Sequence, residues 1–188
     1  GGLTDTLTGV ENASGSAFGD TLVAAASGSL LLGNGGIDII GGGDGDDSLF
    51  GGDGTDTITG GLGNDSMSGG AGNDSMQGLG GDDTLDGGAG VDTLDGSAGI
   101  DTAIFSFNAG PMIIDLVAGT AFDSIAGETD VVLQIENVVG SGAADTITGD
   151  GADNVLDGGA GNDQLSGGGG DDTLIGGAGG DLLDGGVG

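Results

Sequence analysis

The fold is decided by residues 42–77, which read GGDGDDSLF-GGDGTDTIT-GGLGNDSMS-GGAGNDSMQ. Each unit has nine residues, with Gly at the first, second and fourth positions, Asp at the sixth and an apolar residue at the eighth. The same frame runs from residue 15 to residue 104 as ten units, and a second run of five units covers residues 140–184. A repeat kept over this length predicts an architecture in which one structural unit is stacked many times.

The composition is that of an acidic chain with no counter-charge of its own. The 188 residues include 51 Gly and 31 Asp or Glu but no Lys, Arg, His or Cys, so the net charge is −31. Self-repulsion of this charge opposes compaction, which makes metal cations the expected partners. Without basic residues, nucleic acid and anionic membrane surfaces are poor partners. The apolar stretches are too short for membrane insertion as a helix.

Each unit combines a turn with a short strand. The first six residues are turn-formers, because Gly adopts positive φ without a steric cost. The last three, such as Thr57-Ile58-Thr59, alternate polar and apolar residues, which is typical of a strand with one buried face. Two units then close one coil of about eighteen residues. The sequence therefore predicts an all-β parallel β-roll with two short sheets. The eighth-position side chains should point inward: Leu22, Leu31, Ile40, Leu49, Ile58, Met67, Met76, Leu85, Leu94, Ala103, Ile147, Leu156, Leu165, Leu174 and Leu183.

The sixth-position residues should stack in columns, unit n above unit n+2, on each side of the roll. Stacked carboxylates repel each other unless a cation lies between them, and oxygen ligands at flexible geometry favour Ca²⁺ over Mg²⁺. We expect one column of Asp20, Asp38, Asp56, Asp74 and Asp92, and a second of Asp47, Asp65, Asp83 and Asp101, with Ser29 interrupting its start. In the second run the columns are Asp145, Asp163 and Asp181, and Asn154 and Asp172.

The units resemble the nonapeptide GGxGxDxUx of the RTX proteins, which fold as calcium-loaded parallel β-rolls. In that family, one turn supplies its second- and fourth-position carbonyls, the next turn its first- and third-position carbonyls, and both supply Asp. The resemblance implies that Gly52, Gly54 and Asp56 face Gly69, Ala71 and Asp74. It adds these candidate ligands to the columns: Gly33, Gly35, Gly43, Gly45, Gly52, Gly54, Gly61, Gly63, Gly70, Gly72, Gly88, Gly90, Gly159, Gly161, Gly168, Gly170, Gly177 and Gly179.

The neighbouring pairs in the columns predict about ten calcium ions if the family arrangement holds. The pair containing Asn154 should be the weakest, and the site between Ser29 and Asp47 should stay empty. One apolar side chain per nine residues is a small core against the entropy of ordering the unit. We therefore expect the metal-free chain to be disordered.

The nine-residue frame fails over residues 105–139, which we interpret as a β-strand junction. Residues 103–107, 112–117 and 131–135 have the pattern of strands. The favoured interpretation is a cap that closes one roll and starts the next, and the alternative is a ligand-binding insert that uses Phe122 and Asp123.

A shift of 125 residues lays Thr4-Asp5 on Thr129-Asp130 and Glu11-Asn12 on Glu136-Asn137. The chain then reads as part of a tandem array with a 125-residue unit. Residues 1–14 are the end of a preceding junction, 15–104 the first roll, 105–139 the junction and 140–188 a second, truncated roll.

The sequence favours a structural function over catalysis. No His, Lys, Cys or Tyr is present to act as base, nucleophile or zinc ligand, so we expect no catalytic residues. We interpret the chain as a calcium-binding structural piece of a longer secreted or bacterial cell-surface protein, such as an adhesin, surface layer or filament. The resemblance implies type I export followed by folding in external calcium. The alternative is an accessory module that binds polysaccharide or ice, and identical segments are further candidate partners.

Overall fold

The structure is a computed structural model that describes residues 5–25 and 28–188. Residues 1–4, which include Thr4 of the predicted segment 1–14, and residues 26–27 of the weak unit 24–32 lie outside the described part. Within the described part the fold is all-β, with 21 strands and no helix. None of the described residues therefore forms a helix long and apolar enough to cross a membrane.

The strands follow one another along the whole described chain. They are β1 (Thr6–Val10), β2 (Asn12–Ser14), β3 (Thr21–Ala24), β4 (Leu30–Gly36), β5 (Ile39–Asp44), β6 (Ser48–Gly54), β7 (Thr57–Leu62), β8 (Ser66–Ala71), β9 (Ser75–Gly80), β10 (Thr84–Ala89), β11 (Thr93–Ala98), β12 (Thr102–Ile104), β13 (Met112–Asp115), β14 (Thr120–Asp123), β15 (Thr129–Leu133), β16 (Asn137–Val139), β17 (Thr146–Thr148), β18 (Val155–Asp157), β19 (Gln164–Ser166), β20 (Thr173–Ile175) and β21 (Leu182–Asp184).

Strands of the repeats alternate between two sheets, which confirms the parallel β-roll. The 12-stranded sheet has the order β1-β3-β5-β7-β9-β11-β15-β14-β13-β17-β19-β21, and the 9-stranded sheet has the order β2-β4-β6-β8-β10-β12-β16-β18-β20. Neighbouring repeat strands are parallel and 18 residues apart, as in the pairing of Ile58 with Met76 and of Leu49 with Met67. Two nine-residue units therefore make one coil.

The apolar core is a single line of side chains between the two sheets. The eighth-position residues from Leu22 to Leu94 have at most 2% of their surface exposed. Met112, Ile114 and Val132 of the junction continue the same core. Leu174 is only partly buried and Leu183 has 46% of its surface exposed, since they lie in β20 and β21, the edge strands of the two sheets. The predicted inward position is therefore correct for the repeats, but burial of the side chain is incomplete in the last two units.

Strands of the first run are longer than the repeat pattern predicts. Strand β7 continues through Gly60 and Gly61 to Leu62, so the first three residues of each following unit also pair with the neighbouring coil. In the second run, β17 to β21 contain only three residues each. The predicted split into six turn residues and three strand residues therefore fits the second run better than the first.

The junction contributes strands to both sheets. Strand β15 pairs in parallel with β11, and β16 lies between β12 and β18. Strands β13 and β14 form an antiparallel hairpin within the 12-stranded sheet, and β13 pairs in parallel with β17. Strands β13 and β15 lie within or across the expected segments 112–117 and 131–135, whereas β12 ends at Ile104 and leaves residues 105–107 outside a strand. Because β15 and β16 keep the alternation and register of repeat strands, both sheets continue through the junction, and the division of the chain into two rolls stays a prediction.

Close stacking of the turns predicts a strict need for Gly at Gly54. This residue has φ of 148°, and a Cβ there would overlap the carbonyl oxygen of Gly36 in the coil before it. Gly54→Ala should therefore lower the free energy of unfolding of the folded roll by at least about 1–3 kcal/mol. Gly151→Ala is the matched control, because nothing lies within 4 Å of its added Cβ. Thermal unfolding in calcium, followed by circular dichroism, compares the two variants, and equal melting temperatures would contradict the prediction.

Candidate metal centre

The sixth-position side chains form the two columns that the repeat frame predicts. The backbone N–H of Asp38 donates to Oδ1 of Asp56 at 2.8 Å, and the N–H of Asp56 donates to Oδ1 of Asp74 at 2.8 Å. The second column has the same contacts, at 2.8 Å from the N–H of Asp65 to Oδ1 of Asp83. Each carboxylate is therefore fixed by the coil before it, and the stacking follows from the register of the sheets.

The second oxygen of most of these carboxylates is buried and has no hydrogen-bond partner. Asp56, for example, has 1% of its surface exposed, and its Oδ2 contacts no donor. A buried carboxylate oxygen without a partner is costly, so this atom is where a cation would be most stabilising. The atoms in this state are the Oδ2 atoms of Asp38, Asp47, Asp56, Asp65, Asp74, Asp83, Asp92, Asp101, Asp163 and Asp172.

A backbone carbonyl faces the unpartnered oxygen across most turns of the first run. A Cβ built on Gly51 would meet both Oδ2 of Asp56 and the carbonyl oxygen of Gly69. The two oxygens therefore border one small space that only Gly leaves open. The same arrangement occurs beside Gly33, Gly42, Gly60, Gly69 and Gly78.

Carboxylate and carbonyl oxygens at such a space fit Ca²⁺, which accepts six to eight oxygen ligands. In residues 5–25 and 28–188, no three acidic side chains are grouped to hold a metal ion. An ion between two turns would therefore take carboxylates from the two stacked Asp residues and its other ligands from the backbone.

The candidate carbonyl ligands lie on turns of unusual backbone conformation. With the exception of Gly33 and Gly35, all the candidate Gly residues have positive φ, from 83° at Gly177 to 149° at Gly161. Asn34, Leu79 and Ser97 stand at second positions and also have positive φ, which is strained for a residue with a side chain. The second and fourth positions of most turns therefore share one backbone conformation, while the ligand roles of these carbonyls stay a prediction.

Burial without a counter-charge shifts the titration of the columns. Burial raises the pKa of Asp65, Asp74, Asp92 and Asp101 to about 6, and neighbouring carboxylates add to the increase. The pKa of Asp38, Asp47, Asp56, Asp83 and Asp163 is raised as well, again mainly by burial. The folded columns therefore favour bound cations or bound protons over bare carboxylates.

The first Asp of each run differs from the others. Oδ2 of Asp20 accepts the backbone N–H of Ser16 at 2.6 Å, and Oδ2 of Asp145 accepts that of Ser141 at 2.6 Å. The backbone N–H groups of Asp5 and Ser16 both donate to Asp20 and lower its pKa, and the N–H of Asp5 contributes most. Protein donors thus already satisfy the carboxylate that begins each run, which the repeat frame alone did not indicate.

Asn154 satisfies its own side chain within the second column. Its Nδ2 donates to the carbonyl oxygen of Glu136 at 2.9 Å, and its Oδ1 accepts the N–H of Asp150 at 2.9 Å. An amide supplies a proton donor where an Asp would leave a bare oxygen. This agrees with the expectation that the pair of Asn154 and Asp172 is the weakest site, although the ranking of the sites stays a prediction.

Two junction residues extend the columns, and sequence reasoning missed both. The N–H of Asp92 donates to Oδ1 of Asp130 at 2.9 Å, and the N–H of Asp101 donates to Oε2 of Glu136 at 2.8 Å. The 125-residue shift aligned these residues with Asp5 and Glu11, and Asp5 donates its N–H to Asp20 in the first column. This alignment is the feature of the sequence that could have identified Asp130 and Glu136 as members of the columns.

The residues of the alternative ligand-binding insert serve the structure of the hairpin. Asp123 is buried, and its Oδ1 accepts the N–H groups of Ile125 and Ala126 at 2.7 and 2.9 Å. Its Oδ2 accepts the Nδ2 of Asn108 at 3.1 Å. A cleft of about 290 Å³ lies beside Asp123 and the exposed Phe107, but Phe122 does not line it. Both oxygens of Asp123 are thus used within the chain.

Comparison with known proteins agrees with this geometry. The family model of the RTX calcium-binding nonapeptide repeat matches the chain four times, at residues 32–67, 68–103, 135–165 and 157–188. Together these matches cover more than half of the chain. No curated protein matches it.

Removal of one column carboxylate should weaken calcium binding at the two turns that share it. Asp65→Asn keeps an acceptor for the N–H of Asp47 but loses the charge, so the calcium midpoint should rise about tenfold or more. The control is Asp53→Asn, whose side chain is exposed and lies outside the columns. Calcium titration followed by circular dichroism measures both midpoints, and equal shifts in the two variants would contradict the role of the column.

The raised pKa values predict opposite effects of pH with and without calcium. In the folded state, the pKa of Asp65 and Asp74 is about 6, above an unfolded value of about 3.9, so the folded chain binds more protons. In chelator, the roll should therefore become more stable as pH falls from 7 toward 4. In calcium, protons should compete, and the calcium midpoint should rise below pH 6. Circular dichroism at fixed chelator or calcium measures both effects, and calcium-free stability that increases with pH would contradict the assignment.

Proposed function

The chain belongs to the RTX calcium-binding nonapeptide repeat family, and from that premise we propose that it is a structural segment of a large secreted or bacterial cell-surface protein that folds when calcium binds. The calcium-binding role follows from the repeat family and the β-roll, and the export route, the cell-surface location and the parent protein are our proposal. The observation that carries the proposal is the set of buried Oδ2 atoms without partners in both columns.

The charge of the chain explains why folding should depend on calcium. The chain has 31 acidic residues and no basic one, so ion pairs with Lys or Arg cannot neutralise the columns. Ordering the turns brings the carboxylates together and removes them from water, which is unfavourable for bare charges. Divalent cations supply the missing charge and bridge successive coils. Binding energy of this kind is also folding energy.

Such a dependence suits export of an unfolded chain. In RTX proteins, low calcium inside the cell keeps the repeats unfolded for type I secretion, and calcium outside the cell folds them. The tandem pattern of 125 residues supports a part that builds length in an adhesin, surface layer or filament. The ligand-binding alternative is less supported, because both oxygens of Asp123 hold the hairpin loop.

A calcium titration of the purified chain tests the proposal. Circular dichroism should change from coil to β-structure between chelator and about 10 mM Ca²⁺, a range that brackets extracellular calcium modules. Mg²⁺ at the same concentrations is the control and should not fold the chain, because it requires tighter octahedral geometry. Complete β-structure in chelator, or equal folding by Mg²⁺, would contradict folding by calcium.

A further inference from the structure

The coil that stacks on the end of the first run belongs to the junction: β15 pairs with β11 and β16 with β12. Strand β16 pairs with β12, so Asn137 aligns with Thr102 and Val138 with Ala103. Glu136 directly precedes Asn137, as Asp101 precedes Thr102. Glu136 therefore has the register of a sixth-position Asp although it lies outside the nine-residue frame.

The junction reaches this register by a shorter path than a repeat does. Leu94 and Ala103, the inward residues of consecutive units, are nine residues apart. Their partners Val132 and Val138 are only six residues apart. The connection of Gln134, Ile135 and Glu136 is thus three residues shorter than a repeat turn, and the longer side chain of Glu136 spans the remaining distance to Asp101.

Glu136 makes the contact that an Asp makes inside the repeats. Its Oε2 accepts the N–H of Asp101 at 2.8 Å, the same distance as from the N–H of Asp83 to Oδ1 of Asp101. Asp101 is completely buried, and its Oδ2 has no partner. The last carboxylate of the first run therefore has a buried oxygen without a hydrogen-bond partner, like the carboxylates within the run.

A carbonyl oxygen of the junction faces that unpartnered atom. A Cβ built on Gly96 would meet both Oδ2 of Asp101 and the carbonyl oxygen of Gln134. This is the arrangement seen beside Gly78, where Oδ2 of Asp83 and the carbonyl of Gly96 border the same space. Gln134 is held in place by its side chain, whose Nε2 donates to the carbonyl oxygen of Ser97 at 2.8 Å.

We propose that Asp101, the carbonyl oxygen of Gln134 and Glu136 form a calcium site between the last unit of the first run and the junction, where the junction completes the last turn of that run. The site rests on the proposed calcium-dependent function and extends it to Gln134 and Glu136, which lie outside the nine-residue frame. Two carboxylates and backbone carbonyls are the hard oxygen donors that Ca²⁺ accepts. The bound ion would fasten β16, and with it the junction, to the end of the first run.

The neighbouring ends of the columns show why the site is specific to this position. At the end of the other column, the three atoms nearest to a Cβ on Gly87 all belong to Asp92, so no junction carbonyl faces that carboxylate as closely. One coil beyond Glu136, the side-chain amide of Asn154 donates to the carbonyl oxygen of Glu136, where a sixth-position Asp would have no proton to donate. The sixth-position residue on the far side of the site is therefore an uncharged amide.

Glu136→Gln tests the site with a matched control in the same chain. The variant keeps an acceptor for the N–H of Asp101 and removes only the charge. Glu11→Gln is the control, because Glu11 occupies the equivalent place in the 125-residue unit and its side chain is exposed. Calcium content is measured by equilibrium dialysis at saturating Ca²⁺, and hydrogen exchange is measured over residues 134–139.

We expect Glu136→Gln to bind one ion fewer than the unchanged chain, with faster exchange at residues 134–139, while Glu11→Gln matches the unchanged chain. An unchanged ion count in Glu136→Gln, or the same loss in both variants, would overturn the site. If Glu136→Gln does not fold, an anomalous calcium map of the unchanged protein decides the question. Peaks along the repeat columns without one beside Gln134 overturn this inference alone, whereas no calcium anywhere overturns the proposed function as well.

Discussion

Like charges stacked in a buried column are the constraint on which this structure depends. The turns place one carboxylate above another at every coil, with exposures of 0–3% from Asp38 to Asp101, and the chain offers no basic residue to balance them. Each feature of the turn accommodates this arrangement. Gly at the first position leaves room beside Oδ2, Gly at the second and fourth positions gives the positive φ, and the N–H of one Asp orients the carboxylate of the next.

The apolar core has a supporting role in this architecture. It consists mainly of one inward side chain per unit, such as Ile58 or Met76, packed between two sheets of short strands. Such a core sets the spacing of the sheets and the inward face of each strand. The core does not balance the charge on the turns. The column carboxylates therefore make the fold sensitive to the ions around it. Stability and ligand binding are therefore not separable properties of this roll.

The repeats could be predicted almost completely from the sequence, because a fixed period converts position in a unit into position in the coil. Leu49 and Asp56 lie where the frame places them. Reasoning by period was weaker where the frame stops. Asp130 and Glu136 join the columns through the register of β15 and β16, and register depends on pairing between distant segments. The hydrogen bonds from the backbone N–H groups of Ser16 and Ser141 to Asp20 and Asp145 could not be predicted either, because residue types do not show where a backbone N–H points.

The hairpin of β13 and β14 gives the two sheets unequal lengths. Between β11 and β17 the first sheet contains β15, β14 and β13, whereas between β12 and β18 the second contains only β16. Two additional strands occupy about 10 Å of sheet on one face at the usual interstrand spacing. A solenoid with one face longer than the other has to turn its axis or slide its sheets at that point. An array with this hairpin in every 125-residue unit would therefore be a rod with a bend or an offset at each junction, and the spacing between junctions would set how often the rod departs from a straight line.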